Sequence, residues 1–363
     1  MNKLRLLIVE DREQDIETFR EMLEEYKSNT KRDIDPIVCQ KSDDALEKLD
    51  NSIDGAIIDL RLGNQVGAGN QLIEDIRRSF FRIPIFIFTA NEGDIDDSLE
   101  GVKVFIKGDI GYYELLDLFW DIYETGLTDI MGSRGEMETH LSDVFKKNIF
   151  PQIDKWIEHS KQDGKNKTQR ALTRYTLSHL YHLLDDGQER FFPEEFYLCP
   201  PMSEDIKTGS IVKKNVSNQP FVVLSPACDL VIRSNGKFKT DRILLVEIEK
   251  ENNIVDKALE GIKQKRKKED KLKVIFNNNH TDYYHWLPEA HSFNGGFLNF
   301  RKLTAHDEDS FGKEFGKPII QISPPFVKDI VSRFSSFYAR QGQPDIESKD
   351  FVTRHLNRLT NTP

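Results

Sequence analysis

Cysteine is scarce in this chain: three in 363 residues, at Cys39, Cys199 and Cys228. Neither paired nor metal-type spacing joins them, which excludes a disulfide framework and a zinc ribbon and suits a reducing cytoplasm. No apolar run approaches the length of a membrane span. The N-terminus enters a charged segment within a few residues, so no signal peptide is expected. Internal repeats, low-complexity tracts and any legible helix-turn-helix are missing too, which removes the usual signs of a DNA-binding regulator. Positive charge is short in the first third. Residues 1–130 hold 15 Lys+Arg against 29 Asp+Glu, a net −14, while the remainder nets +4. That shift marks a domain boundary near residue 130 and is too mild in the second part to establish nucleic-acid binding.

What is present is a βα alternation. Gly55–Leu62 (GAIIDLRL) carries a continuous apolar run, as a strand buried on both faces of a parallel sheet does. It delivers Asp59 at its end. Leu4–Asp11 (LRLLIVED) delivers Glu10 and Asp11, Pro84–Ala90 (PIFIFTA) delivers Thr89, and Val102–Lys107 (VKVFIK) delivers Lys107. Helices are expected at Arg12–Tyr26, Asp43–Leu49 with Ser42 as its cap, Asn70–Ser79, and Gly111–Tyr123, with at most a short one at Asp94–Glu100. A short strand is expected at Ile37–Gln40. The pattern predicts a doubly wound parallel sheet. Ligands of such sheets bind at the carboxyl ends of the strands, so these charged groups converge on a candidate site.

In the order and spacing of these groups, residues 1–126 resemble a receiver domain of two-component signalling. The resemblance implies a flavodoxin-like, five-stranded fold. It implies that Asp59 is the phospho-acceptor, with Thr89 and Lys107 contacting the phosphoryl group. Glu10, Asp11, Asp59 and the backbone carbonyl of Arg61 would hold Mg²⁺, an ion that favours oxygen ligands. It further implies a sensor histidine kinase or phosphotransfer protein as partner. Two departures stand out. Gly108 occupies the position after the lysine where the family usually has proline, and Val104 stands where it often has an aromatic residue, with Phe105 next to it. Only 17 residues separate Thr89 from Lys107, which leaves room for a short helix alone.

Beyond the receiver, Gly126–Gly135 reads as a hinge. Residues 127–190 read as a helical linker: a helix at Glu136–Ser160 with Pro151 inside it, a loop at Lys161–Lys167, and a helix at Thr168–Leu184. This pair suits a spacer or a homodimerisation hairpin. Residues 191–345 read as an α+β output domain and 346–363 as a polar tail. Strands are expected at Gly209–Lys213, Gln219–Ser225, Arg242–Ile248, Leu272–Phe276, Tyr283–Leu287, Gly296–Phe300 and Ile319–Ile322. Helices are expected at Ile254–Lys271 and Phe326–Arg340. The stretch 209–248 faintly resembles the SH3-like barrel of MazF/PemK-type toxins, and no catalytic residue matches.

Three candidate features remain in this half. Ser225, Cys228 and Asp229 lie together after a buried strand, and a reactive thiol there would need an electropositive setting. Lys263–Lys273, with Lys265, Arg266, Lys267 and Lys268 at its core, could meet phosphates or form a solvated helix face. His280, His285 and His291 invite a metal but match no standard zinc spacing. The chain therefore reads as a cytoplasmic response regulator with an atypical output domain. The alternatives are a receiver-gated nuclease or other hydrolase, and a DNA-binding regulator.

Overall fold

The computed structural model describes all residues except 1–2, 64, 80, 91–92, 94–100, 133–134, 184–189, 235, 341–344 and 361–363. The expected short helix at 94–100 lies outside the described residues. The chain divides into two compact units, residues 1–187 and 188–363.

The first unit begins with β1 (Leu4–Val9), α1 (Glu13–Thr30), β2 (Ile34–Cys39), α2 (Ser42–Lys48) and β3 (Gly55–Ile58). A two-strand hairpin follows, β4 (Arg61–Leu62) with β5 (Gln65–Val66). Then come α3 (Ala68–Arg78), β6 (Ile85–Thr89), β7 (Lys103–Ile106) and α4 (Tyr112–Glu124). Five strands pair in parallel in the order β2-β1-β3-β6-β7, the flavodoxin-like arrangement. Alternate residues of β1 serve opposite faces, as strand geometry requires. Leu4, Leu6 and Ile8 join Phe19, Phe86 and Phe119 beneath α1 and α4. Leu7 and Val9 join Ile58, Ile73 and Ile87 beneath α2 and α3. Burying each such side chain stabilises by roughly 1.5–3 kcal/mol, so the two-sided core holds the strand ends in register.

Local details depart from the sequence pattern in places. Ser42 does not cap α2: Lys41 stands at the cap position and makes no side-chain cap bond, while Ser42 is already helical. The hinge expected at Gly126–Gly135 contains a helix, α5 (Leu127–Met131). Next come α6 (Glu136–Val144), a wide π-type turn at Phe145–Ile149 and a 3-10 turn at Phe150–Gln152 that carries Pro151. After them run α7 (Ile153–Asp163) and α8 (Lys165–Leu183). The loop expected at Lys161–Lys167 shrinks to Gly164, whose φ of 87° favours glycine. Lys and Gln propensity carries both helices up to it.

The second unit is built on β8 (Tyr197–Leu198), β9 (Ser210–Lys213), β10 (Pro220–Val223), β11 (Ile243–Glu249), β12 (Tyr284–Leu287), β13 (Gly296–His306) and β14 (Ile320–Ile322). They form a seven-stranded antiparallel sheet in the order β12-β13-β11-β10-β9-β14-β8. The sheet curls so that its two edge strands meet through side chains. The Tyr197 hydroxyl on β8 donates to the Pro288 carbonyl just after β12, at 2.8 Å. The Tyr197 and Phe293 rings pack edge to face at 5.6 Å. The architecture is α+β and barrel-like. Ile211, Val222, Val246, Leu298 and Phe300 fill its interior against Ile330 of α12 (Pro324–Ala339).

Two expectations fail in this unit. Leu272–Phe276 is not a strand but the end of α10 (Lys265–Phe276), and the single helix expected at Ile254–Lys271 is two, α9 (Glu251–Leu259) and α10, parted at Gly261 with φ 77°. The five residues Leu272–Phe276 look strand-like, but α10 turns Leu272, Ile275 and Phe276 inward and leaves Lys273 and Val274 exposed, which is helical spacing. The segment between β13 and β14 holds α11 (Glu308–Glu314). Within the expected polar tail lies α13 (Lys349–Thr360).

Candidate functional site

The C-terminal edge of the first sheet gathers the predicted groups. Backbone bonds tie the strand ends together: Asp59 N–H donates to Val9 O at 2.9 Å, and Lys107 N–H donates to Thr89 O at 2.8 Å. Glu10, Asp59 and Thr89 are 2, 6 and 1% exposed, so two carboxylates are held away from water. Such burial is costly unless the charges are paired.

Lys107 supplies the pairing. Its Nζ donates to Glu10 Oε2 at 2.5 Å, Asp59 Oδ2 at 2.8 Å and Asp15 Oδ2 at 2.9 Å. Asp15, in the first turn of α1, joins this set although it ends no strand. Its signal is its place in the first turn of α1, where side chains tilt back toward the helix N-terminus and so toward the same edge. Three carboxylates thus share one ammonium, and negative charge is left over. Burial pushes the Glu10 carboxyl up to about 7 against the opposing pull of Lys107, and the charge of Asp59 adds to the rise. Burial also disfavours the Lys107 cation, but its bonds to Asp59, Glu10 and Asp15 prevail and hold its pKa above the ordinary lysine value.

The remaining oxygens are held by backbone. Glu10 Oε1 accepts from Arg12 N–H at 3.1 Å, Asp59 Oδ1 from Arg61 N–H at 3.2 Å, and Asp11 Oδ2 from Gly63 N–H at 2.8 Å. Two glycines shape the rim. A Cβ on Gly69 would lie 2.3 Å from Asp59 O and 2.6 Å from Leu60 Cα, so α3 approaches the acceptor strand only because that side chain is missing. Gly108 has φ 106°, a conformation closed to proline. This is the physical basis of the departure at that position. The departure at Val104 is also resolved: Val104 is exposed, and Phe105 turns inward with its ring 5.1 Å from Phe86.

The donor set of Glu10, Asp11 and Asp59 fits a hard divalent cation, which oxygen ligands and surplus negative charge both favour. In the observed rotamers, however, no three acidic groups among the described residues are gathered tightly enough to hold one. Lys107 takes an oxygen from Glu10 and from Asp59, and Gly63 takes one from Asp11. Binding would displace these contacts.

The second unit does not assemble its candidates. The Ser225 hydroxyl accepts from Leu244 N–H at 2.7 Å, and its carbonyl accepts from Thr208 Oγ1 at 2.6 Å. It closes the β10–β11 junction. Cys228 is exposed, with Sγ 3.6 Å from Asp229 Oδ1. No base or cation among the described residues joins that pair. Lys265, Arg266, Lys267 and Lys268 are all exposed on α10, and Lys265 pairs with Glu269 at 4.0 Å. The histidines separate: His280 Nδ1 lies 3.1 Å from Lys271 Nζ, while His285 is buried at Asp329.

Comparisons with solved structures fall on receiver domains over the N-terminal third. One is the CheY-like receiver domain of a Methylobacillus flagellatus response regulator, 22% identical, covering 33% of this chain and 99% of that one, with a TM-score of 0.28. Another is the non-phosphorylated HemR receiver domain from Leptospira biflexa, at 28% identity, 33% and 93% coverage and a TM-score of 0.27. A third, from Clostridium thermocellum, stands at 18% identity, 34% and 98% coverage and 0.29. No family model matches the chain, and no curated protein does. The strand order of the first sheet is the flavodoxin-like one, the fold that these receiver domains share.

Proposed function

We propose that the protein is a phospho-accepting response regulator whose second unit is an atypical output domain acting through protein contacts. The observation that carries this is Lys107 Nζ bonded at once to Asp59 and Glu10 at the ends of three strands. Phosphoryl transfer to a carboxylate needs an aligned nucleophile and neutralisation of charge. Asp59 attacks phosphorus with one carboxylate oxygen, and the P–N bond of a histidine kinase or phosphotransfer partner breaks, its electron pair remaining on the imidazole. Lys107, already poised against Asp59, moves its bonds to the phosphoryl oxygens. The Thr89 hydroxyl, buried one strand away, contacts another. Magnesium held by Glu10, Asp11, Asp59 and the Arg61 carbonyl would neutralise the incoming charge. Release of Glu10 and Asp15 from Lys107 is the local event that the fold reports outward.

No helix among the described residues is long and apolar enough to cross a membrane. The three cysteines, all free, suit a reducing cytoplasm, to which we assign the protein. The hydrolase alternative finds no assembled site at Ser225–Asp229. The test is beryllofluoride binding followed by fluorine NMR. Bound signals that require both Mg²⁺ and Asp59, and vanish in Asp59→Asn, support the proposal. Their absence from the wild-type protein refutes it.

A further inference from the structure

A cavity of about 480 Å³ opens in the second unit beside β12, within the size range of small-molecule sites. Its walls are aromatic. Phe196 stacks on Phe326 with centroids 4.1 Å apart, and Phe276 meets Trp286 edge to face at 4.9 Å. His285 lines the same space and is 2% exposed, yet its Nδ1 has no hydrogen-bond partner among the described residues. The nearest carboxylate oxygen, Asp329 Oδ2, stands 3.8 Å away, too far for a bond. A buried polar atom left without a partner calls for an explanation such as an absent water or ligand.

The charges narrow the ligand. Asp329 is paired with Arg333 Nε at 2.9 Å, so the polar corner is close to neutral. A bare cation would meet the Arg333 guanidinium, and a phosphate would meet Asp329. The Trp286 indole N–H is spent on Glu251 Oε2 at 3.1 Å, and Asn278 Oδ1 accepts from Trp286 N–H at 2.5 Å. His285, the Asn278 amide NH₂ group and the Asp329 carboxylate therefore remain to recognise a ligand. Aromatic walls favour a flat π-system, and these polar groups favour one with ring nitrogens.

We infer that this cavity binds a neutral, planar nitrogen heterocycle of the nucleobase or nucleoside class, hydrogen-bonded by His285 and Asp329. The second unit is then a sensor in its own right, with an input separate from Asp59. The inference does not rest on the receiver reading.

The experiment uses the full chain, titrated with purine and pyrimidine bases and their nucleosides, following Trp286 fluorescence and confirming by calorimetry. Indene, flat and without ring nitrogen, serves as the comparison. Trp286→Phe identifies the reporting indole among the three tryptophans. Saturable binding tighter than ~1 mM to at least one base or nucleoside is expected, with indene binding at least about tenfold more weakly. His285→Leu should weaken binding by about tenfold or more, the loss of one buried hydrogen bond. Should that variant fail to fold, Asp329→Asn, at a half-exposed position, decides the matter through the same loss in smaller degree. No binding by any base or nucleoside, unchanged affinity in a folded His285→Leu or Asp329→Asn, or equal binding of indene each overturns the inference.

Discussion

Lys107 Nζ lies 2.8 Å from Asp59 Oδ2, and the same ammonium holds Glu10 and Asp15. The nucleophile of the proposed reaction is thus restrained by a cation that two further carboxylates share. Removing the cation leaves buried charge uncompensated, which costs about 3–5 kcal/mol when one partner of a buried pair is lost. Lys107→Met should lower the melting temperature more at pH 8 than at pH 5.5, where Glu10 can take up a proton. Mg²⁺ should recover more stability in the variant than in the wild type. Equal losses at both pH values in thermal melts would contradict this.

Glu10 gives a pH dependence of defined sign. Its pKa rises from the ordinary 4.5 to about 7 on folding, chiefly through burial. Between those values the folded state binds more protons than the unfolded state, so this group's contribution falls as pH rises. It is fully present below the unfolded value and lost above the folded one, and it amounts to at most ~3 kcal/mol. The difference in unfolding free energy between wild type and Glu10→Gln, measured in urea from pH 4.5 to 8, should show this slope. Saturating Mg²⁺ should flatten it, since the ion replaces the proton.

The first sheet is legible in the sequence because buried parallel strands announce themselves as unbroken apolar runs, and each ends in a group of distinct chemistry. Asp15 was missed because its role depends on the side-chain direction of a helix, which no strand-end argument reaches. The break at Gly164 and the helical end of α10 were misjudged for a related reason. Polar Lys- and Gln-rich sequence reads as loop where propensity sustains helix, and a short, mostly apolar run reads as strand where its burial has helical period. In the second unit, the residues that line the cavity with His285 come from segments far apart in sequence. Asp329 and Phe326 lie on α12, Phe196 precedes β8, Phe276 ends α10 and Trp286 lies on β12, so spacing carries no trace of the cavity.

The close approach of α3 to the acceptor strand makes Gly69 the most sensitive glycine of the site. Gly69→Ala would force a Cβ against the Asp59 carbonyl, a strain of about 1–3 kcal/mol. Gly108→Pro, which restores the residue usual in receivers, should also destabilise because φ 106° is closed to it. Denaturant midpoints lower than wild type for both are expected. A stabilised Gly108→Pro would show that the backbone after Lys107 differs from the one described.

Ser225 and Cys228 separate structure from chemistry in the second unit. Ser225→Ala strips the acceptor from Leu244 N–H and should cost roughly 1–3 kcal/mol. Cys228→Ala, at an exposed position, should change stability by less than ~0.5 kcal/mol. Neither should alter the response to phosphorylation, read as the change in elution volume on addition of beryllofluoride.

The most direct measurement is intact mass after incubation with acetyl phosphate and Mg²⁺, made on wild type and on Asp59→Asn. The account predicts one added phosphoryl group on the wild type, removed by chelating the metal beforehand and missing from the variant. An adduct of equal yield on Asp59→Asn, or an unmodified wild type even when a competent histidine phosphotransfer donor is supplied, would contradict it.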